Sequence, residues 1–187
     1  QANISNFLYM QRLMVDRSAA FTRASQEVYA TSPWLSNAAR TPEAQGAKQL
    51  VSKAAEERKR KLLGELAKET TLYYLVDGGC VECKFQRSSL YSVVAKGFDL
   101  VISSVDGSIP KGMKSNELVD FNALPESVTN YPFKRAPALI AIHKESEPVH
   151  ISAAVLSTSD IENNFLLIAK HHGWISNRQF ASTKPIV

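Results

Sequence analysis

Apolar positions along the chain change period more than once, and each change marks an element. Over residues 3–30 the period is helical: Phe7, Met14, Phe21 and Val28 recur at heptad spacing, Met10 and Ala24 fill the seam, and Arg17 breaks it. Such a stripe, about four heptads long, predicts one helix with a face for a partner helix. Ser32-Pro33 ends it, because a residue before proline avoids the helical region. A loop through Trp34-Leu35-Ser36-Asn37 leads to a second start signal, with Thr41 as N-cap, Pro42 at the first helical position and Glu43 in the first turn. The second helix runs to about Lys68 on a thin stripe of Leu50, Val51, Ala54, Ala55, Leu62, Leu63 and Leu66, interrupted by Arg58 and weakened by Gly64. It pairs with the first helix or stands away as an arm; the pattern leaves both open.

From Thr70 the helical period gives way. Thr70–Val76 is β-branched and aromatic and predicts a buried strand. Val81–Lys96 is helical, with Phe85, Leu90, Val93 and Val94 facing inward and Gly97 closing it. Phe98–Ser103 is a second strand, parallel to the first through a right-handed crossover. Residues 104–135 carry turn chemistry at Asp106-Gly107 and Pro110-Lys111-Gly112, a short helix near Asn116–Ala123 and a turn at Glu126–Val128. Ala138–Ile142 and Val149–Val155 read as an antiparallel hairpin. Ser157-Thr158-Ser159-Asp160 caps a last helix, about Asp160–His172, ending at Gly173. The tail after Trp174 reads as loosely held. The predicted division is a helical region at 1–69, an α/β domain at 70–175 and a tail at 176–187.

Bulk properties add little until they are divided by region. The formal charge is +4, and residues 1–70 hold 11 Lys/Arg against 7 Asp/Glu, so the basic surplus lies in the helical region. Its densest run, Arg58-Lys59-Arg60-Lys61 after Glu56-Glu57, has no interleaved aromatic residues to stack on bases, and reads as a solvated helix face rather than a nucleic-acid site. No apolar run reaches membrane-spanning length. The chain begins at Gln1 with no basic and apolar leader, and an export signal already removed is the expectation.

The candidate chemistry sits where the first strand ends. Tyr73–Val76 runs into Asp77-Gly78-Gly79 and then into Cys80-Val81-Glu82-Cys83, the only two cysteines of the chain. A C-x-x-C at a helix N-terminus suits thiol–disulfide exchange, because amides and dipole there stabilise a thiolate. Cys80 is the candidate attacking thiol and Cys83 the buried resolving one. Ala136-Pro137 lies directly before the third strand, where the thioredoxin fold that this order of elements resembles carries a cis proline. The resemblance implies that it holds an extended substrate over Cys80; the competing reading of the proline is a trans bond that merely starts an edge strand. A purely structural disulfide is the competing reading. A zinc site, which needs two of His143, His150, His171 and His172 as further ligands, has no supporting spacing. No phosphate loop, Ser-His-Asp arrangement or cofactor motif is legible.

The order β-α-β, connection, β-β-α with a C-x-x-C after the first strand resembles the thioredoxin fold, here an α/β domain preceded by an N-terminal helical arm or hairpin. Departures are specific. Glu82 opposes a thiolate at Cys80, an effect Lys84 partly offsets. Tyr74 stands where thioredoxins place a buried acid, Asp77 is a poor substitute, and Ser88 replaces the kinking proline. Further motifs extend the resemblance over nearly the whole chain. They are Gln11, Asp16-Arg17, Phe21 and Ser32-Pro33-Trp34-Leu35; Gly97-Phe98-Asp99-Leu100 with Ser104–Pro110; and Arg135-Ala136-Pro137-Ala138-Leu139. Together these resemble TraF-type conjugal pilus assembly proteins of F-like type IV secretion systems. The resemblance implies an exported, periplasmic protein that contacts other subunits of the transfer apparatus through its N-terminal helices. It also implies that disulfide chemistry is not the role of every member. An active thiol–disulfide oxidoreductase or isomerase acting through Cys80–Cys83 is the alternative function.

Overall fold

A computed structural model describes residues 2–35, 44–132 and 136–185. The expected cap at Thr41-Pro42-Glu43, the loop residues Ser36 and Asn37, and Arg135 lie outside the described residues. The chain divides into two compact units, residues 1–53 with 185–187 and residues 54–184.

In the first unit, α1 (Ala2–Thr31) is a single helix of 30 residues, as the heptad pattern predicts. Its apolar side chains are exposed, Phe7, Met14 and Phe21 each by about two thirds or more. Arg12 pairs with Asp16 one turn on, at 3.2 Å. The N-terminal half is apolar on more than one side: Ile4, Leu8, Tyr9, Leu13 and Val15 are exposed beside the stripe residues.

The helix α2 (Gln45–Ala67) runs from the first unit into the second, where Ala55, Lys59, Leu62, Leu63, Leu66 and Ala67 are buried. Four strands follow: β1 (Thr70–Val76), β2 (Asp99–Ser104), β3 (Ala138–His143) and β4 (Val149–Ser152). They form one sheet in the order β2-β1-β3-β4. β1 is parallel to β2 and antiparallel to β3, and β3 is antiparallel to β4 across a register shift at Leu139/Ile140. β4 ends at Ser152, short of the expected Val155. Alternation along β1 serves both faces of the sheet. Leu72, Tyr74 and Val76 join the core beneath α2, α3 (Cys83–Val94) and α5 (Thr158–His171), whereas Tyr73 and Leu75 pack on the opposite side with Leu124 and Val128.

The connection from β2 to β3 supplies that opposite layer. In place of one short helix at 116–123 there are two 3-10 turns, Ser115–Glu117 and Phe121–Ala123, followed by α4 (Glu126–Thr129). Asp120 caps the second turn by accepting from the Asn122 amide. Val119 is pinned to the edge of β2, its N–H bonding the Ile102 carbonyl at 2.8 Å and its carbonyl accepting the Ser103 hydroxyl.

Two expectations are corrected by packing. Phe85 points outward, 63% exposed with the Lys84 ammonium over its ring, and Gln86 takes the inward place. The Gln86 amide is satisfied by the Leu156 backbone, donating to its carbonyl at 2.9 Å and accepting its N–H at 2.5 Å. A buried amide with both partners in place is stable where an unpaired one is not. From Ile175 to Thr183 the segment after Trp174 is not loose: Ile175 is buried, and α6 (Asn177–Ser182) starts at a Ser176/Gln179 capping box. Arg58 of α2 donates to the Ser182 carbonyl at 2.8 Å.

At the end of β3, His143 is buried and stacked on Trp174, with ring centroids 4.7 Å apart. Its Nδ1 lies 2.8 Å from the Thr70 hydroxyl, which itself donates to the Leu66 carbonyl; Nδ1 therefore carries the proton. Burial, aided by the Lys144 charge and opposed by Glu69, lowers the His143 pKa. A histidine held neutral by the fold stabilises it fully above the unfolded value of about 6.5, and the contribution falls as pH drops from there. Urea denaturation should thus show a loss as pH falls below about 6.5, of at most about 1.4 kcal/mol per pH unit from this group. In His143→Asn that part of the slope should vanish; an unchanged slope would refute the assignment.

Candidate functional site

The site is built at the C-terminal end of β1. After Val76 the chain turns through Asp77-Gly78-Gly79, closed by a hydrogen bond from the Cys80 N–H to the Asp77 carbonyl at 3.1 Å. Cys80 and Cys83 are joined as a disulfide with Cα atoms 5.5 Å apart. Cys83 is the first residue of α3, so Cys80 lies before the helix, and Glu82 occupies the N-cap without a side-chain capping bond. The partial positive charge of the helix N-terminus is therefore nearest Glu82 and Cys83, and acts less directly on Cys80 than a helix beginning there would.

Cys83 is fully buried and Cys80 nearly so. Beneath them, the buried Tyr74 occupies the place a buried acid takes in thioredoxins. Its hydroxyl, 3.5 Å from the Cys83 carbonyl, is pushed above its ordinary pKa by burial and then by the Glu82 charge. It is a neutral donor at every physiological pH and does not replace a carboxylate as a proton acceptor.

Ala136–Pro137 is a cis peptide. It faces the disulfide across an open groove of about 390 Å³, lined by Gly79, Cys80, Glu82, Ala136, Pro137 and Ala154. Three of the four residues singled out in the sequence, Cys80, Ala136 and Pro137, thus line one groove, while Cys83 is buried and reaches it only through its disulfide to Cys80. Sequence reasoning missed the far wall, Ala153 and Ala154 after β4; small residues in a short loop carry no signal. That wall is tied to α3 through the Gln86–Leu156 pair. Val81 and Phe85, both exposed, add apolar surface along the motif.

The turn is also held from outside. The Val105 N–H bonds the Val76 carbonyl at 2.9 Å, and the Gly78 N–H donates to Asp106 Oδ2 at 3.3 Å. Asp106 Oδ1 accepts the Ser104 hydroxyl at 2.8 Å and the Ser108 N–H at 3.0 Å.

None of the four histidines joins the cysteines: His143 is engaged by Thr70 and Trp174, His150 lies beside the Tyr131 ring, and His171 and His172 pack on one another at the end of α5. Among the described residues, no group of three or more His, Cys, Asp or Glu is placed to hold a metal ion. Among them also, no helix is long and apolar enough to cross a membrane.

No curated protein and no solved structure matches the chain. A family model described as TraF, F plasmid transfer operon protein, matches residues 1–166. That match spans the α1 stripe, the Cys80–Cys83 turn, the cis Ala136–Pro137 bond and most of α5. With the thioredoxin-like order of strands and helices, it establishes that the chain belongs to the TraF family of conjugative transfer-operon proteins.

Proposed function

We propose that this chain is a periplasmic assembly component of a conjugative secretion apparatus, required for pilus or mating-channel formation through protein contacts made by its N-terminal helices. The observation that carries the reading is the apolar surface of α1, exposed along the heptad positions Phe7, Met14, Phe21 and Val28. Apolar anchors at this spacing are what a groove or partner helix reads. The α/β domain then serves as a stable mount, and the disulfide as its staple. In donor cells carrying the full chain, Phe7→Ser/Met14→Ser/Phe21→Ser should weaken co-purification with transfer-apparatus subunits by at least about 100-fold, since each anchor is worth on the order of 1–2 kcal/mol. Mating efficiency should fall with it, and Cys80→Ser should leave both nearly unchanged. The reverse pattern would sink the reading.

A second reading is favoured by a different observation, the open groove between Cys80 and Pro137. There the chain acts as a thiol–disulfide exchange enzyme on apparatus proteins, with Cys80 attacked or attacking, Cys83 resolving, and Ala136-Pro137 holding the substrate backbone. Cys83→Ser should then accumulate mixed disulfides through Cys80. A clean absence of adducts, with a reduction potential below about −300 mV, removes this reading and leaves a structural disulfide.

A further inference from the structure

Gly78 is needed for a reason other than its backbone angles. A Cβ built on it would lie 2.5 Å from Ser108 Cβ and 2.9 Å from Ser108 Oγ, so the turn before Cys80 and the loop after β2 are packed backbone against side chain. Across this contact runs the bond from the Gly78 N–H to Asp106 Oδ2. The other carboxylate oxygen is held by Ser104 and Ser108 within its own loop. One exposed acid therefore bridges two segments, and the segment it grips is the one that delivers Cys80.

We propose that Asp106 is a positioning residue for the Cys80–Cys83 pair, clamping the Asp77–Cys80 turn so that the two sulfurs stay within bonding reach of one another whether oxidised or reduced. The physical effect is on effective concentration: a turn fixed at Gly78 presents one thiol to the other in few conformations, and a turn freed there in many. The bonds from Ser108, Ser104 and Gly78 hold the Asp106 carboxyl down to about pKa 2, so the acceptor is charged throughout the range in which thiols titrate. The inference concerns the pair itself and holds whether the disulfide turns over or only staples the fold; docking by α1 has no bearing on it.

The test is the equilibrium of the full chain with glutathione and the rate of its reduction by dithiothreitol. In that reduction a reductant thiolate attacks Cys80 Sγ, the Sγ–Sγ bond breaks, and Cys83 leaves as a thiolate that takes a proton from water. The reductant's second thiol, losing its proton, then displaces Cys80 and closes a cyclic disulfide, so two electrons pass to the protein. Asp106→Ala should lower the constant for forming the Cys80–Cys83 bond about tenfold, a potential about 30 mV less negative, with faster reduction. Asp106→Asn is the discriminating variant. Its amide oxygen keeps the bonds to Ser104 and Ser108, while its NH₂ faces the Gly78 N–H, so it cuts the clamp and spares the loop. It should move the constant in the same direction by at least about threefold. A constant within 1.5-fold of wild type in Asp106→Asn, whatever Asp106→Ala does, overturns the proposal and leaves Asp106 a turn residue. Should either Asp106 variant fail to fold, Gly78→Ala decides: the added methyl group should force the loops apart and shift the constant likewise, and Gly78→Ala/Ser108→Gly should restore it to within twofold. A shift that the second glycine does not reverse, or no shift at all, refutes the clamp.

Discussion

Glu162→Ala should destabilise the α/β unit by about 3–5 kcal/mol, read as a fall in the urea midpoint at pH 7. Glu162 of α5 is buried between two lysines, Lys59 of α2 at 2.9 Å and Lys96 just beyond α3. Lys59 is as buried as its partner, whereas Lys96 is partly in solvent. Removing the carboxylate leaves the Lys59 ammonium desolvated and unpaired, and the loss reflects that stranded charge more than the worth of the pair. Lys59→Met/Glu162→Leu should therefore recover most of the stability, because two apolar side chains fill the site without a charge to desolvate and Lys96 can turn outward. A double variant as weak as Glu162→Ala would contradict this account.

The same group has a pH signature. Burial raises the Glu162 pKa, but hydrogen bonds from Lys96 and Lys59 and their charges outweigh it, and the net shift is downward. A carboxylate with a lowered pKa stabilises the fold above its unfolded value of about 4.3, and the contribution is lost as pH falls through the folded value. The difference between wild type and Glu162→Ala should accordingly shrink on acidification below about pH 4.

The second large effect is expected at Phe165. Fully buried on α5, it meets Phe98 edge to face at 5.0 Å and lies 6.0 Å from the Trp174 ring. It links the entrance of β2 to the segment that closes the C-terminal end. Phe165→Ala removes both ring contacts and leaves a cavity, at a cost of about 3–5 kcal/mol. Phe165→Leu should lose less than half of that, since its side chain fills part of the space. Thermal unfolding of the three chains side by side tests the order; equal losses for Ala and Leu would show that ring packing, and not volume, decides the site.

Much of this architecture was legible in order and spacing, and the exceptions share a cause. β1 stood out because seven apolar and β-branched residues in a row suit only a strand buried on both faces. Ala136-Pro137 stood out because proline leaves few options for the chain around it. The roles of Lys59 and Gln86 were hidden because their partners, Glu162 and Leu156, are distant in sequence; locally both residues look solvent-facing. The same long-range packing, and no local signal, buries the C-terminal half of α2 in the sheet's core. Phe85 misled in the opposite direction, a large apolar residue at a helical position that the fold leaves outside. For the site, the two cysteines and the proline were visible, but the Asp106 bridge was not. An acid-glycine pair announces a turn, and only the folded chain shows which other turn it holds.

The burial of Lys59 against Glu162 also sets an order of events. A chain made from its N-terminus releases α1 and α2 long before α5 exists, so the α/β unit cannot close when its first helix is ready. For that interval the apolar surface of α1 and the unpaired ammonium of Lys59 are both in water. Under the proposed docking role, α1 is thus available to a waiting subunit before the α/β unit has folded. On that reading, recruitment of a partner during synthesis is open to this chain in a way it would not be if the order of its elements were reversed.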